Sequence, residues 1–146
     1  MINLIYGGKG SGKTTAIIAG ANQNVANAKG FHIYIDKNNA RMHDLEHQVK
    51  LVDASEYAID DQTKFIAFVK GMVAVNYDIE KIYIDNLEKI TGLAIADTEG
   101  LYQGLERISK QSGVEFVTTV AAEKQELPDF LKKYIIYVIL TIAVVA

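Results

Sequence analysis

The sequence predicts an α/β fold in which helices pack on a mostly parallel central sheet, and three observations carry that prediction. Short apolar runs rich in Ile, Val and Tyr alternate along the chain with longer stretches of helical periodicity, the pattern of strands joined by crossover helices. The connections are short and hold a single proline, Pro128. The first apolar run is closed by a glycine-rich loop that opens into a helical stretch.

Taken in order, "INLIY" at 2–6 is the first strand. After the glycine loop, Ile17, Ile18, Ala21, Val25 and Ala28 recur at helical spacing, with Gly30 as the stop. "FHIYID" (31–36) reads as a second strand and "VKLVD" (49–53) as a short third. Residues 61–76 form an amphipathic helix with Phe65, Phe68, Val69 and Met72 inward, and "KIYID" (81–85) is the next strand. Asp97 is the expected N-cap of a helix over about 98–112 whose Leu101, Leu105 and Ile108 face inward, and Gly113 closes it. "VEFVTTV" (114–120) is a strand. The run 135–146 is apolar except for Thr141, too short for a membrane span of about 17–25 residues, and reads as a buried strand, with a peripheral or truncated membrane tail as the alternative.

With 146 residues the chain fits one domain, 1–146, able to bury roughly 70% of its unfolded surface. A balance of 15 Lys plus Arg against 18 Asp plus Glu gives a net charge of −3, so no basic field for nucleic acid is expected. There is no cysteine, which excludes disulfides, thiolate metal sites and thiol nucleophiles. His43 and His47 stand four apart but lack the order of a zinc-protease helix, and read as surface histidines. No secretory signal opens the chain, so a cytoplasmic location is expected, without a membrane partner.

The chemistry concentrates in "GGKGSGKT", residues 7–14, which satisfies GxxxxGK[ST] with Gly7, Gly12, Lys13 and Thr14. Glycines let backbone amides point at a polyphosphate without side-chain obstruction. The helix that begins near Lys13 adds unpaired amides and the positive end of its dipole. Lys13 would reach the terminal phosphates and the Thr14 hydroxyl would hold magnesium. The candidate nucleotide-binding set is Gly7, Gly8, Lys9, Gly10, Ser11, Gly12, Lys13, Thr14 and Thr15, with Lys9 solvated or brushing phosphate.

This segment resembles the Walker A motif of the P-loop NTPases, whose three-layer α/β fold surrounds a mostly parallel sheet. "KIYID" resembles their Walker B strand, an apolar strand ending in an acid. The resemblance implies ATP and Mg2+ as ligands and makes Asp85 the second metal residue beside Thr14. "FHIYID" ends in Asp36 in the same way, but Asp85 follows an intervening strand and helix, as the family order expects. From "GKGSGKT" through "KLVDASEY" and "IYIDNLEKI" to "TVAAEKQELPDFLKKY", the chain is also similar to short bacterial ATP-binding proteins sometimes named after the twitching-motility ATPase PilT. The segment after Tyr134 departs from them.

Hydrolysis also needs a group that orients water and a charge that stabilises the transferring phosphoryl oxygens. In the additional-strand, RecA-like ATPases a glutamate commonly polarises the water. Asn86 follows Asp85 here, so the familiar Asp-Glu pair is missing, and Glu88 and Glu123 are the nearest substitutes. Thr118 and Thr119 resemble a polar sensor of the terminal phosphate. The two arginines, Arg41 and Arg107, read as surface residues, so an arginine finger would come from a protein partner or by self-association.

"ADTEG" (96–100) mimics a GTPase switch, but no NKxD motif accompanies it. Type II thymidine kinases need a cysteine cluster that is absent. The expectation is a weak ATPase with Lys13, Asp85, Glu88 and Glu123 as catalytic candidates. A nucleotide-gated binding module without turnover and a small nucleoside or nucleotide kinase are the alternatives.

Overall fold

Each apolar run becomes a strand because its β-branched and aromatic residues suit a pleated surface buried on both faces. The computed structural model describes residues 1–138. Its strands are β1 (Ile2–Gly7), β2 (Phe31–Asp36), β3 (Val49–Asp53), β4 (Ile79–Ile84), β5 (Glu115–Ala121) and β6 (Ile135–Val138). Its helices are α1 (Lys13–Val25), α2 (Gln62–Val75), α3 (Leu87–Thr91), α4 (Glu99–Ser112) and α5 (Asp129–Lys132), with short 3-10 turns between.

The six strands form one sheet in the order β3-β2-β4-β5-β1-β6, every neighbouring pair parallel. Alternation along the strands divides the core into two layers. On one face Ile5, Tyr34, Tyr83 and Val117 pack under α1 through Ile17, Ile18, Ala21 and Val25. On the other face Ile33, Ile35, Ile82, Ile84 and Phe116 meet Phe65 and Val69 of α2, Leu87 and Ile90 of α3, and Leu101, Leu105 and Ile108 of α4. The architecture is therefore a three-layer α/β sandwich.

The expected elements recur with shifted ends. Helix α1 stops at Val25, earlier than its apolar spacing implies, although Ala28 still packs beneath it. Gly30 is no helix stop: it lies where a Cβ would collide with the carbonyl of Asp78, and that carbonyl accepts the Phe31 amide at 2.7 Å. Asp97 does not cap α4. Thr98 holds the N-cap position without a side-chain cap, and its hydroxyl donates to the Ile95 carbonyl at 2.7 Å, because residues 95–97 already form a 3-10 turn. Gly113 closes α4 at φ 80, as its left-handed conformation favours.

His43 lies in a 3-10 turn and His47 outside it, so no helix aligns the pair. Helix α3 was not expected from the sequence. The C-terminal run begins as expected, with Ile135–Val138 beside β1, while the remainder of the predicted strand, 139–146, lies outside the described residues. Among the described residues no helix is long and apolar enough to cross a membrane.

Candidate functional site

The sheet order places the site. Strand β5 lies between β1, which feeds the glycine loop, and β4, which Asp85 follows directly. The carboxyl ends of these three strands form one rim, where parallel sheets present ligand sites.

Between β1 and α1 the chain turns back on itself: the Ser11 amide donates to the Gly8 carbonyl at 3.1 Å, and the Ala16 amide to the Gly12 carbonyl at 2.9 Å. Gly12 holds φ 99, a left-handed conformation that an L side chain adopts only with strain, and it stands at the N-cap of α1. Lys13 is 7% exposed, and its ammonium reaches back to the Gly8 carbonyl at 3.4 Å. Burial pushes this ammonium below its ordinary pKa, while Asp85 pulls it up and Lys89 pushes it further down. A desolvated cation across the loop mouth favours an anion there.

Asp85 ties three elements together. One carboxylate oxygen accepts the Thr14 hydroxyl of α1 at 2.8 Å, and the other accepts the Thr119 hydroxyl of β5 at 2.6 Å. The Thr119 oxygen in turn accepts the Asn86 amide at 2.8 Å. Asn86 turns the chain at φ 53, which swings α3 away from the strand. The rival acid Asp36 makes no such bond to the loop: its Oδ1 accepts the neighbouring Lys37 amide at 2.7 Å. Burial pushes the Asp36 carboxyl up to about 6, opposed by the Lys37 amide and reinforced by the Asp85 charge.

Glu88, in the first turn of α3, is 8% exposed. One of its oxygens takes a long 3.4 Å contact from the Ala121 amide, and burial raises its pKa. Glu123 is exposed on the loop after β5, and its carboxylate lies against Gly8, filling the space a Cβ there would need. The threonine pair splits. Thr119 faces the loop and Asp85, whereas Thr118 faces the opposite layer and shares a 3.0 Å hydrogen bond with the Tyr102 hydroxyl. Lys9, Gly10, Gly12 and Thr15 are exposed along the loop. Arg41 pairs with Asp44 at 3.6 Å, and Arg107 is exposed on α4.

Sequence reasoning missed Tyr34. Fully buried on β2 two residues before Asp36, it feels the charges of both Asp85 and Asp36, and these with burial push its phenol up. The strict alternation of His32, Tyr34 and Asp36 on one strand face was the available signal. Among the described residues, the buried side-chain atoms without a hydrogen-bond partner are Ser11 Oγ, Tyr34 Oη, Asn86 Oδ1, Glu88 Oε1 and His32 Nδ1. Four of these five belong to the glycine loop (Ser11), to the turn after β4 and the first turn of α3 (Asn86 and Glu88), or to β2 beside Asp85 (Tyr34). Buried polar atoms in native proteins are almost always paired, so the clustering fits a site that receives a polar ligand and its water. The amides, Lys13, Thr14 and Asp85 form a donor set suited to a polyphosphate and a hard divalent cation.

No family model matches the chain, and no curated protein matches it. Among solved structures it is similar to the crystal structure of flagellar accessory protein FlaH from Methanocaldococcus jannaschii, with a TM-score of 0.56 and 14% identity. The match covers 99% of this chain and 66% of that one, so the chain spans just under two thirds of the length of that structure. At this identity the likeness establishes the fold alone: a three-layer α/β fold with a parallel central sheet.

Proposed function

We propose that the chain binds a magnesium nucleoside triphosphate, ATP by preference, at Gly7–Thr14 and hydrolyses it slowly. The observation that carries this reading is the Thr14–Asp85–Thr119 bridge beside a desolvated Lys13. Within it the loop amides of Gly8–Thr14 bind the phosphates and Lys13 neutralises the terminal ones. Thr14 and Asp85 hold magnesium, which when bound supplies positive charge against the phosphoryl oxygens. Thr119 fixes the Asp85 carboxylate in place. Glu88, whose raised pKa and unpartnered oxygen suit a proton acceptor, orients and deprotonates water. Glu123 shields the loop at Gly8. Arg41 is paired with Asp44 and Arg107 is exposed on α4, which supports slow turnover until a partner or a second copy supplies a cation. A cytoplasmic location belongs to the same proposal.

The test measures ATP binding with magnesium, and phosphate release, on wild type beside Lys13→Ala and Asp85→Asn. Lys13→Ala should lose nucleotide affinity at least tenfold, or about 1.4 kcal/mol. Asp85→Asn should bind nucleotide but lose its dependence on magnesium. Unchanged affinity in Lys13→Ala would overturn the cradle. Magnesium dependence kept in Asp85→Asn and lost in Asp36→Asn would move the metal to β2. Binding without any release would leave a nucleotide-gated module.

A further inference from the structure

Beyond the phosphate loop, the carboxyl rim of the sheet continues from β4 to β2 and β3. Past Asp85 along this rim is a second cavity of about 420 Å³, within the range of small-molecule sites. Three segments build it: Lys37 just after β2, the β3–α2 connection with Ser55, Ile59 and Asp60, and α3 with Lys89 and Ile90. Its floor is apolar, since Ile59 and Ile90 are 7% and 3% exposed. Its polar side is cationic. Asp60 is already paired with Lys64 at 2.8 Å, whereas Lys37 and Lys89 make no ion pair among the described residues.

Among the described residues the non-glycine residues with positive φ are Ala58, at 54, and Asn86, at 53. Ala58 lines the cavity and Asn86 launches α3, which forms its wall. Ala58 closes the 3-10 turn Ala54–Tyr57, its amide donating to the Ala54 and Ser55 carbonyls, which holds its left-handed conformation at the cavity edge. The charge of Lys89 also reaches the phosphate site, acting on both Lys13 and Glu88.

We propose that this cavity is a second ligand site, distinct from the glycine loop, which takes a small organic anion: a phosphate or carboxylate group held by Lys37 and Lys89, with its apolar body on Ile59 and Ile90. Binding at the cavity does not depend on the nucleotide reading being right.

The experiment follows the isoleucine methyl signals of the full chain by NMR while phenyl phosphate is added, with benzyl alcohol as the uncharged counterpart. Saturable shifts at Ile59 and Ile90 are expected, with a dissociation constant of about 1 mM. In Lys37→Gln/Lys89→Gln, both exposed positions, affinity should fall about tenfold, and benzyl alcohol should bind at least as weakly. Lys13→Ala should bind phenyl phosphate at the cavity as wild type does, even if it loses nucleotide. No saturable shift at Ile59 and Ile90 overturns the site. Equal affinity for benzyl alcohol, or no loss in the double variant, overturns its anion selectivity. Disappearance of the shifts in Lys13→Ala shows that the probe reads the phosphate loop instead.

Discussion

Replacing Asp36 with asparagine tests the electrostatics of the rim. The carboxyl sits at the end of β2 beside Asp85, and burial with that neighbouring charge raises its pKa from 3.8 to about 6. Asp53 adds a further push upward, while the Lys37 amide and Arg41 act in the opposite direction. The folded protein therefore holds this proton where the unfolded chain has released it. Stability is unaffected by the site below about pH 4, falls as pH rises from about 4 to 6, and carries the full penalty above.

A shift of about two pKa units corresponds to about 3 kcal/mol, and contact of the rim with water reduces the expectation to about 2 kcal/mol. Asparagine keeps an oxygen for the Lys37 amide and removes the charge. Asp36→Asn should therefore be more stable than wild type by about 2 kcal/mol at pH 7.5 and by about a third of that at pH 4.5. Urea unfolding followed by circular dichroism, in buffer with a chelator, measures both. A variant no more stable than wild type at pH 7.5, or a gain that does not change with pH, would refute the reasoning.

Other substitutions probe the remaining links. Thr119→Val keeps the shape of the side chain but strands the Asn86 amide and one Asp85 oxygen, so urea unfolding should show a loss of about 2–4 kcal/mol, with magnesium affinity weakened as well. Thr118→Val, on the opposite face, should cost stability without changing magnesium affinity in the same titration. Glu88→Gln should lower turnover about a hundredfold or more while leaving nucleotide affinity within about twofold; full activity in steady-state phosphate release would remove Glu88 from the reaction. Gly30→Ala drives a methyl into the Asp78 carbonyl and should lower stability by about 1–3 kcal/mol by thermal unfolding.

The glycine loop was legible because its pattern is local. Gly7, Gly12, Lys13 and Thr14 act within eight consecutive residues, and the strand before them and helix after them follow from periodicities of 2 and 3.6. The strands were legible for the same reason, and the errors fell where tertiary contacts compete with propensity. Gly30 looked like a helix stop and is instead a close approach to Asp78. Asp97 had the chemistry of a cap, but Thr98 occupies the position. Helix α3 is too short, at five residues, for a periodic signal to emerge.

What the sequence determined by itself was the fold class and the place of the glycine loop between β1 and α1, since both rest on spacing along the chain. Only the tertiary structure separated the contacts of Asp36 from those of Asp85. Both acids end apolar strands, but the sheet order sets β4 next to β5 and two strands from β1, where Asp85 meets Thr14 and Thr119. It also separated Thr119 from Thr118, because successive residues of a strand point to opposite faces and which face holds the loop depends on how the sheet is layered. Tyr34 entered the site the same way, 51 residues before Asp85 in sequence and on the strand adjacent to β4 in the sheet. Such proximity arises from long-range strand pairing, which no local pattern encodes.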